Sequence, residues 1–136
     1  MGNFSSIDIS ASGLYAQRMR MDVIADNIAN ATTTRTEKGG PYRKQEVIFQ
    51  AHTGKLDGEN GGVEVAGIVE SPVPPKMVYD PSHPDANPDG MVAMPNVSII
   101  EEMVDMITAT RAYEANIQAI NTARAMTMKA LDLGRS

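Results

Sequence analysis

The sequence predicts a mainly α fold with a small β subdomain: long N- and C-terminal helices pairing as a coiled-coil-like hairpin, with a β-rich insertion between them. Three observations carry this. All eight Pro of the 136 residues lie between Pro41 and Pro95, and eight of the eleven Gly lie between Gly39 and Gly90. Pro removes a backbone donor and clashes with the preceding turn, so it excludes long helices from the middle alone. Both ends carry apolar residues at helical spacing, and the middle carries short runs of β-branched residues between turn signals. The expected division is residues 1–34 for the first helix, 35–95 for the insertion with its Pro- and Asp-rich loop, and 96–136 for the second helix.

The first helix is expected from about Ser5 to Asn30, with Ser5 and Asp8 spaced as a capping box. Leu14, Met21 and Ile28 recur every seven residues, with Ile24 and Ala31 between them and Gln17 as a polar exception. That is a coiled-coil-like seam. A second, weaker stripe holds Ala16, Met19, Val23, Asn27 and Asn30. Gly13 costs about 1 kcal/mol relative to Ala and is expected to let the first turns fray. The run Thr32-Thr33-Thr34 ends the helix, since β-branched side chains lose rotamer freedom there.

The middle reads as three strands: Tyr42 to Gln50, Gly62 to Ser71 and Lys76 to Asp80. Turn signals at Thr53-Gly54, Glu59-Asn60-Gly61-Gly62 and Pro72-Val73-Pro74-Pro75 separate them. The stretch from Asp80 to Gly90 carries three Pro and is expected to be an irregular loop.

The second helix is expected from Ser98 to about Asp132, with Gly134 as the stop. Ser98 and Glu101 form a capping box, and Glu101, Glu102 and Asp105 place negative charge near the positive helix end. One stripe is bulky: Met103, Met106, Thr110, Tyr113, Ile117, Ile120, Arg124, Thr127, Leu131. Its neighbour is small: Ala112, Asn116, Ala119, Ala123, Met126, Ala130. Small side chains let another backbone approach closely.

Composition narrows the function. The net charge is −5, and there are no Trp, two Phe and four Tyr. This argues against nucleic acid, which is bound by basic grooves and stacking platforms. The absence of Cys removes disulfides, thiol catalysis and thiolate zinc sites. No run of 18 apolar residues is present, so no membrane insertion is expected. The beginning of the chain lacks the basic and apolar regions of a cleaved signal peptide. No phosphate loop, nucleophile elbow or paired-His metal motif is present, and neither an enzyme nor a cofactor is expected. Asp85-Ala86-Asn87-Pro88-Asp89-Gly90 matches half of a calcium-binding loop. Asn96 stands where the bidentate Glu belongs, and a stiffened Asx turn explains the residues as well. Asn27 and Asn30 have two readings: caps near a helix end, or amides that set register against partner helices.

Each helix carries more apolar surface than one partner can cover, and exposed patches of that kind mark interaction sites. The expected assembly surface is Leu14, Met21, Ile24, Asn27, Ile28, Asn30, Met103, Met106, Tyr113, Asn116, Ile117, Ile120 and Leu131. Head-to-tail contacts of this kind give rings or helical filaments. Long amphipathic ends without partners are expected to be disordered before assembly and to fold on binding.

Three segments also carry a family resemblance. Residues 12–32 (SGLYAQRMRMDVIADNIANAT) resemble the N-terminal motif of the bacterial flagellar axial proteins, which comprise rod, hook and hook-associated subunits. Residues 109–116 (ATRAYEAN) resemble their C-terminal motif. The loop with Tyr79, Asp80, Pro81, Ser82, His83, Pro84, Asp85, Ala86 and Asn87, followed by residues 90–97 (GMVAMPNV), resembles the C type of proximal basal-body rod protein, with the B type as the alternative. Asp26 stands where the family often has Asn, and residues 52–74 carry little family signal. The resemblance implies a structural subunit whose helices line the inner tube of the rod, a drive shaft that carries torque and lets export substrates pass. It implies export by the flagellar type III apparatus without a cleaved signal peptide. The implied location is the periplasmic rod of the basal body. The implied partners are other rod subunits, further copies of the chain and the rod-base protein.

Overall fold

The computed structural model describes residues 2–53 and 60–135. In chain order the elements are α1 (Gly2–Ala29), β1 (Gln45–Thr53), β2 (Asn60–Glu70), β3 (Lys76–Tyr79), β4 (Met91–Met94) and α2 (Ile99–Arg135). The expected pattern of helix, β insertion and helix is present. At 1.5 Å per residue α1 is about 42 Å long and α2 about 55 Å.

The two helices pack against each other and run antiparallel. Asn27 meets Glu102, and Gly13 meets Asn116, so equal steps along each helix in opposite directions keep them level. The seam is built from small side chains. Ala16 and Ala109 are fully buried, and a β-carbon at Gly13 would lie 2.9 Å from Asn116 Oδ1. Gly13 therefore serves close approach, and α1 is helical on both sides of it. The expected fraying is corrected accordingly. Nor does Ser5 begin the helix, which already runs from Gly2.

On α1 the stripe taken as weaker is the buried one. Ala16, Val23 and Asn27 are inside together with Ile24, whereas Leu14, Met21 and Ile28 are half-buried. The reason is that α1 has neighbours on two sides: α2 and the β1–β2 ribbon. Its buried arc is centred between them, and the seven-residue repeat falls on its flank.

The ribbon is antiparallel, with Gln45 opposite Glu70 and Ala51 opposite Val63, and bulges beside Ile48 and between Ala51 and Thr53. It lies along α1. Gln45 is tied to Asn27 at one end, and Gly61 and Gly62 press on Ile9 and Ser12 at the other. The eighteen helical residues between those ends span about 27 Å, and the eight strand steps from Gln45 to Thr53 about 26 Å, so ribbon and helix match in length. Gly62 has φ +99°, and a side chain there would strike Ser12 Oγ at 2.7 Å. The Ser12 hydroxyl instead accepts from the Val63 N–H at 3.1 Å and donates to the Ile9 carbonyl at 2.6 Å. Of the turn residues expected between β1 and β2, Thr53 ends β1 and residues 60–62 open β2 instead, while Gly54 and Glu59 lie outside the described residues.

β3 and β4 form a second two-stranded sheet, Lys76 opposite Met94 and Tyr79 opposite Met91. β4 was not expected as a strand, because Met91 to Met94 alternates too little to signal one. Val92 nevertheless fills the core. α2 begins where expected: the Ser98 hydroxyl accepts from the Glu101 N–H at 3.4 Å and the Ser98 carbonyl from the Glu102 N–H at 2.9 Å. Its end differs, since the helix continues through Gly134 to Arg135.

Candidate functional site

The most highly organised polar cluster sits where α1, α2 and β1 meet. Asn27 is 1% exposed, and its amide makes four hydrogen bonds. Nδ2 donates to the Gln45 carbonyl at 2.9 Å and to Glu102 Oε2 at 3.2 Å. Oδ1 accepts from the Gln45 N–H at 2.9 Å and from the Tyr42 hydroxyl at 2.8 Å. That is the full capacity of an Asn side chain. The side chain pairs with Gln45 as a neighbouring strand would, exchanging both main-chain hydrogen bonds.

Glu102 is equally buried. Lys44 lies 3.1 Å from its Oε1 as an ion pair. Oε1 has no hydrogen-bond partner of good geometry, so the ammonium charge is what compensates it. Burial alone would lower the Lys44 pKa, but its contact with Glu102 and the nearby Glu46 and Asp105 outweigh that and raise it. Tyr42 is also raised, first by desolvation and then by Asp26, Glu102 and Glu70. Breaking a buried pair of this kind by removing one partner typically costs about 3–5 kcal/mol.

Of the two helix-end amides, Asn27 is bonded within the subunit, to β1, α2 and Tyr42. Asn30 closes the end of α1: its Nδ2 donates to the Asp26 carbonyl at 2.9 Å, and its Oδ1 accepts from Thr33 at 3.2 Å. Glu102 was expected only as a charge near the helix start, and its burial is the larger role. Sequence patterning misses it because an acidic residue in a first helical turn is the ordinary case.

The loop from Asp80 to Gly90 is held by its own short side chains. Asp80 Oδ1 accepts from the Ser82 N–H and hydroxyl at 3.2 and 2.7 Å. Asn87 Oδ1 accepts from the N–H groups of Asp89 and Met91 at 3.0 and 2.9 Å. His83 Nδ1 accepts from the Asp85 N–H at 3.0 Å. The Asp85 carboxylate is turned toward the segment after α1, where it accepts from the Thr34 hydroxyl at 2.7 Å and pairs with Arg35. These partners, Thr34 first, lower its pKa. Among the described residues no group of three or more His, Asp or Glu has metal-binding geometry. Gly90 is buried at φ +77°, with Tyr79 and Pro81 against it. Tyr79, Pro81 and Pro84 face outward.

The remaining expected residues divide by exposure. Leu14, Met21, Ile28, Asn30, Met106, Tyr113, Asn116 and Ile120 are half-buried in or beside the seam, and Ile24 and Asn27 lie inside the subunit. Met103, Ile117 and Leu131 are 52%, 38% and 60% exposed. The face of α2 turned away from α1 adds Ile100, Val104 and Ile107, all exposed. Ile100 and Val104 stand one turn apart, and Ile107 follows within another, so they form one outward stripe.

Comparison with known proteins agrees with this architecture. Residues 7–35 match the family described as flagella basal body rod protein, and residues 89–133 match the flagellar basal body rod FlgEFG protein C-terminal family. The flagellar basal-body rod protein FlgC of Borreliella burgdorferi is 48% identical over 96% of this chain and 97% of its own length. Those of Salmonella typhimurium and Bacillus subtilis are 42% and 41% identical, over 99% of this chain and all of theirs. The chain belongs to the C-type flagellar basal-body rod proteins. It is a structural rod subunit, and the two family matches fall on α1 with the turn after it and on β4 with α2. Residues 36–88, between the two family matches, hold the β1–β2 ribbon, β3 and most of the 80–90 loop.

Proposed function

We propose that this C-type rod subunit builds a tubular drive shaft by helix packing, with the α1–α2 hairpin lining the inner tube through a coiled-coil-like seam and the β segments contacting neighbours outside. The shaft carries torque and leaves a passage for export substrates. The observation that supports this reading is the apolar surface of α2 that α1 leaves uncovered, from Ile100 to Leu131. Among the described residues the buried apolar core is only Ala16, Val23, Ile24, Val92 and Ala109. So thin a core holds the free chain marginally, and burial against neighbours supplies what it lacks. A marginal chain also suits unfolded passage through a type III export apparatus to a periplasmic rod, where other rod subunits, further copies and a rod-base protein are its partners.

The test is Ile117→Asp, a 38% exposed position at the edge of the α1–α2 seam. The expected result is normal expression, loss of the chain from purified basal bodies and loss of motility. A motile strain with the variant in its basal bodies would refute the assignment. Far-UV circular dichroism of the free chain tests the marginal core. A fully helical, protease-resistant monomer would count against it.

A further inference from the structure

Three of the four strands have an outer edge met by a residue that stands in for a neighbouring strand. The Asn27 amide takes both main-chain groups of Gln45 on β1, and the Ser12 hydroxyl takes the Val63 N–H on β2. On β4, Asn87 Oδ1 accepts from the Met91 N–H at 2.9 Å, and the Asn87 N–H donates to the Met91 carbonyl at 2.8 Å. β3 is the exception. The Asp80 N–H donates to the Gly90 carbonyl directly opposite, which fixes the alternation of the ladder. Lys76 and Val78 turn their main-chain groups to β4, and Met77 and Tyr79 turn theirs outward. Among the described residues no hydrogen bond reaches those outward groups, and Lys76, Met77, Val78 and Tyr79 are all exposed. An open edge of this kind is a template for another strand.

We propose that β3 of one free chain pairs edge to edge with β3 of a second copy, antiparallel about a twofold axis at Val78. This goes beyond the rod reading above. The edge is complementary to itself. With Val78 opposite Val78, Met77 of each copy falls opposite Tyr79 of the other, and their outward N–H and carbonyl groups exchange hydrogen bonds on both sides of the axis. The same pairing sets a thioether beside a ring. Lys76 of each copy falls opposite Asp80 of the other, so ammonium meets carboxylate at both ends. Asp80 holds its own turn through Oδ1 and offers Oδ2 to that contact. A shift of one residue would set outward groups against inward ones, and a shift of two would part the charges. Each copy has one such edge, so the contact is isologous and closes at two copies. It joins chains that face opposite ways, whereas rod contacts run head to tail. The pair is therefore a weak dimer of the free chain that competes with assembly.

The chain has no Cys, so a single introduced thiol reports on the twofold directly. In this register the two Val78 positions form a non-hydrogen-bonded pair with α-carbons about 4.5 Å apart, inside the range that a disulfide spans. The two Met77 positions lie on a diagonal, farther apart. Val78→Cys in the purified free chain should oxidise to a disulfide dimer at least about tenfold faster than Met77→Cys. Chance collision would give the opposite order, since Met77 is 51% exposed and Val78 38%. Sedimentation velocity of the parent chain should show a dimer that grows with concentration. Lys76→Glu should abolish it by setting Glu opposite Asp80. Met77→Pro should abolish it too and leave far-UV circular dichroism unchanged, because the N–H it removes is one that β4 does not use. A parent chain that stays monomeric, or equal oxidation of the two Cys variants, overturns the pairing. A dimer that survives both Lys76→Glu and Met77→Pro overturns it as well, by moving the contact to another surface. None of these results bears on the Ile117→Asp test, so the rod reading stands or falls separately.

Discussion

Replacing Asn27 with Ala removes four hydrogen bonds at once. It leaves the Gln45 N–H and carbonyl, the Tyr42 hydroxyl and Glu102 Oε2 without their shared partner. Glu102 is fully buried, and losing a hydrogen bond to a charged group costs about 1.5–3 kcal/mol. The other three contacts are part-buried, so water recovers some of them, and about 0.5–1 kcal/mol each is a fair charge. The expected loss is about 3–6 kcal/mol, against about 5–15 kcal/mol for a typical domain. Urea titration of the free chain, followed by helical circular dichroism, reads this. With a slope of about 1–3 kcal/mol per molar urea, the midpoint falls by at least about 1 M, or the transition disappears. Amide exchange at Gln45 should accelerate in the same variant. A midpoint within about 0.3 M of the parent, with the parent itself unfolding cooperatively, would refute the claim that this amide holds the three elements together.

Gly13→Val puts atoms where Asn116 now sits, and overpacking of this kind typically costs about 1–3 kcal/mol. Thermal unfolding reads the loss, and Gly13→Ala should be milder because the Asn116 amide can turn aside. Gly90→Ala combines positive φ with a 2.9 Å approach to the Tyr79 ring. It should destabilise by about 1–3 kcal/mol and loosen the 80–90 loop to limited proteolysis, with cleavage in that loop as the readout. Lys44 and Tyr42 both have raised pKa values in the folded chain. For each, folding favours the protonated form, so its contribution is complete below the ordinary values of 10.5 and 10.0 and is lost as pH rises through the higher folded ones. Stability should fall on the alkaline side of about pH 10, and Lys44→Met should flatten that decline. Asp85 is lowered, so its link to Thr34 and Arg35 is present above the ordinary carboxylate range and is lost as pH falls through its folded value. Proteolysis of the loop at acidic pH should rise, and Asp85→Asn should remove that dependence.

Much of the architecture was legible in the chain because helices and Pro are both emphatic. The Pro-free ends gave α1 and α2, and Ser98 marked the start of α2. What patterning could not give was which face of α1 is buried. The seven-residue repeat of Leu14, Met21 and Ile28 presumes a single helical partner, and α1 has a helix and a ribbon. The small seam of Gly13, Ala16 and Ala109 was hidden for a related reason. Gly and Ala carry no strong hydrophobic signal, yet they set how near two backbones come. Glu102 could not be found at all from local sequence, because its partners Asn27 and Lys44 lie 75 and 58 positions away along the chain. β4 was missed because four residues hold too few alternations to count.

The pairing of Asn27 with Gln45 is lopsided: one side contributes a side chain, and the other only its peptide groups. The demand on residue identity is therefore one-sided as well. Position 27 admits only an amide of that reach, whereas position 45 admits almost any residue that can sit in a strand. The exception at 45 is Pro, which lacks the N–H that Oδ1 needs. A saturation library across the two positions would show a single surviving letter at one and a nearly full alphabet at the other. Pairwise covariation between them would be close to zero, although they are in direct contact.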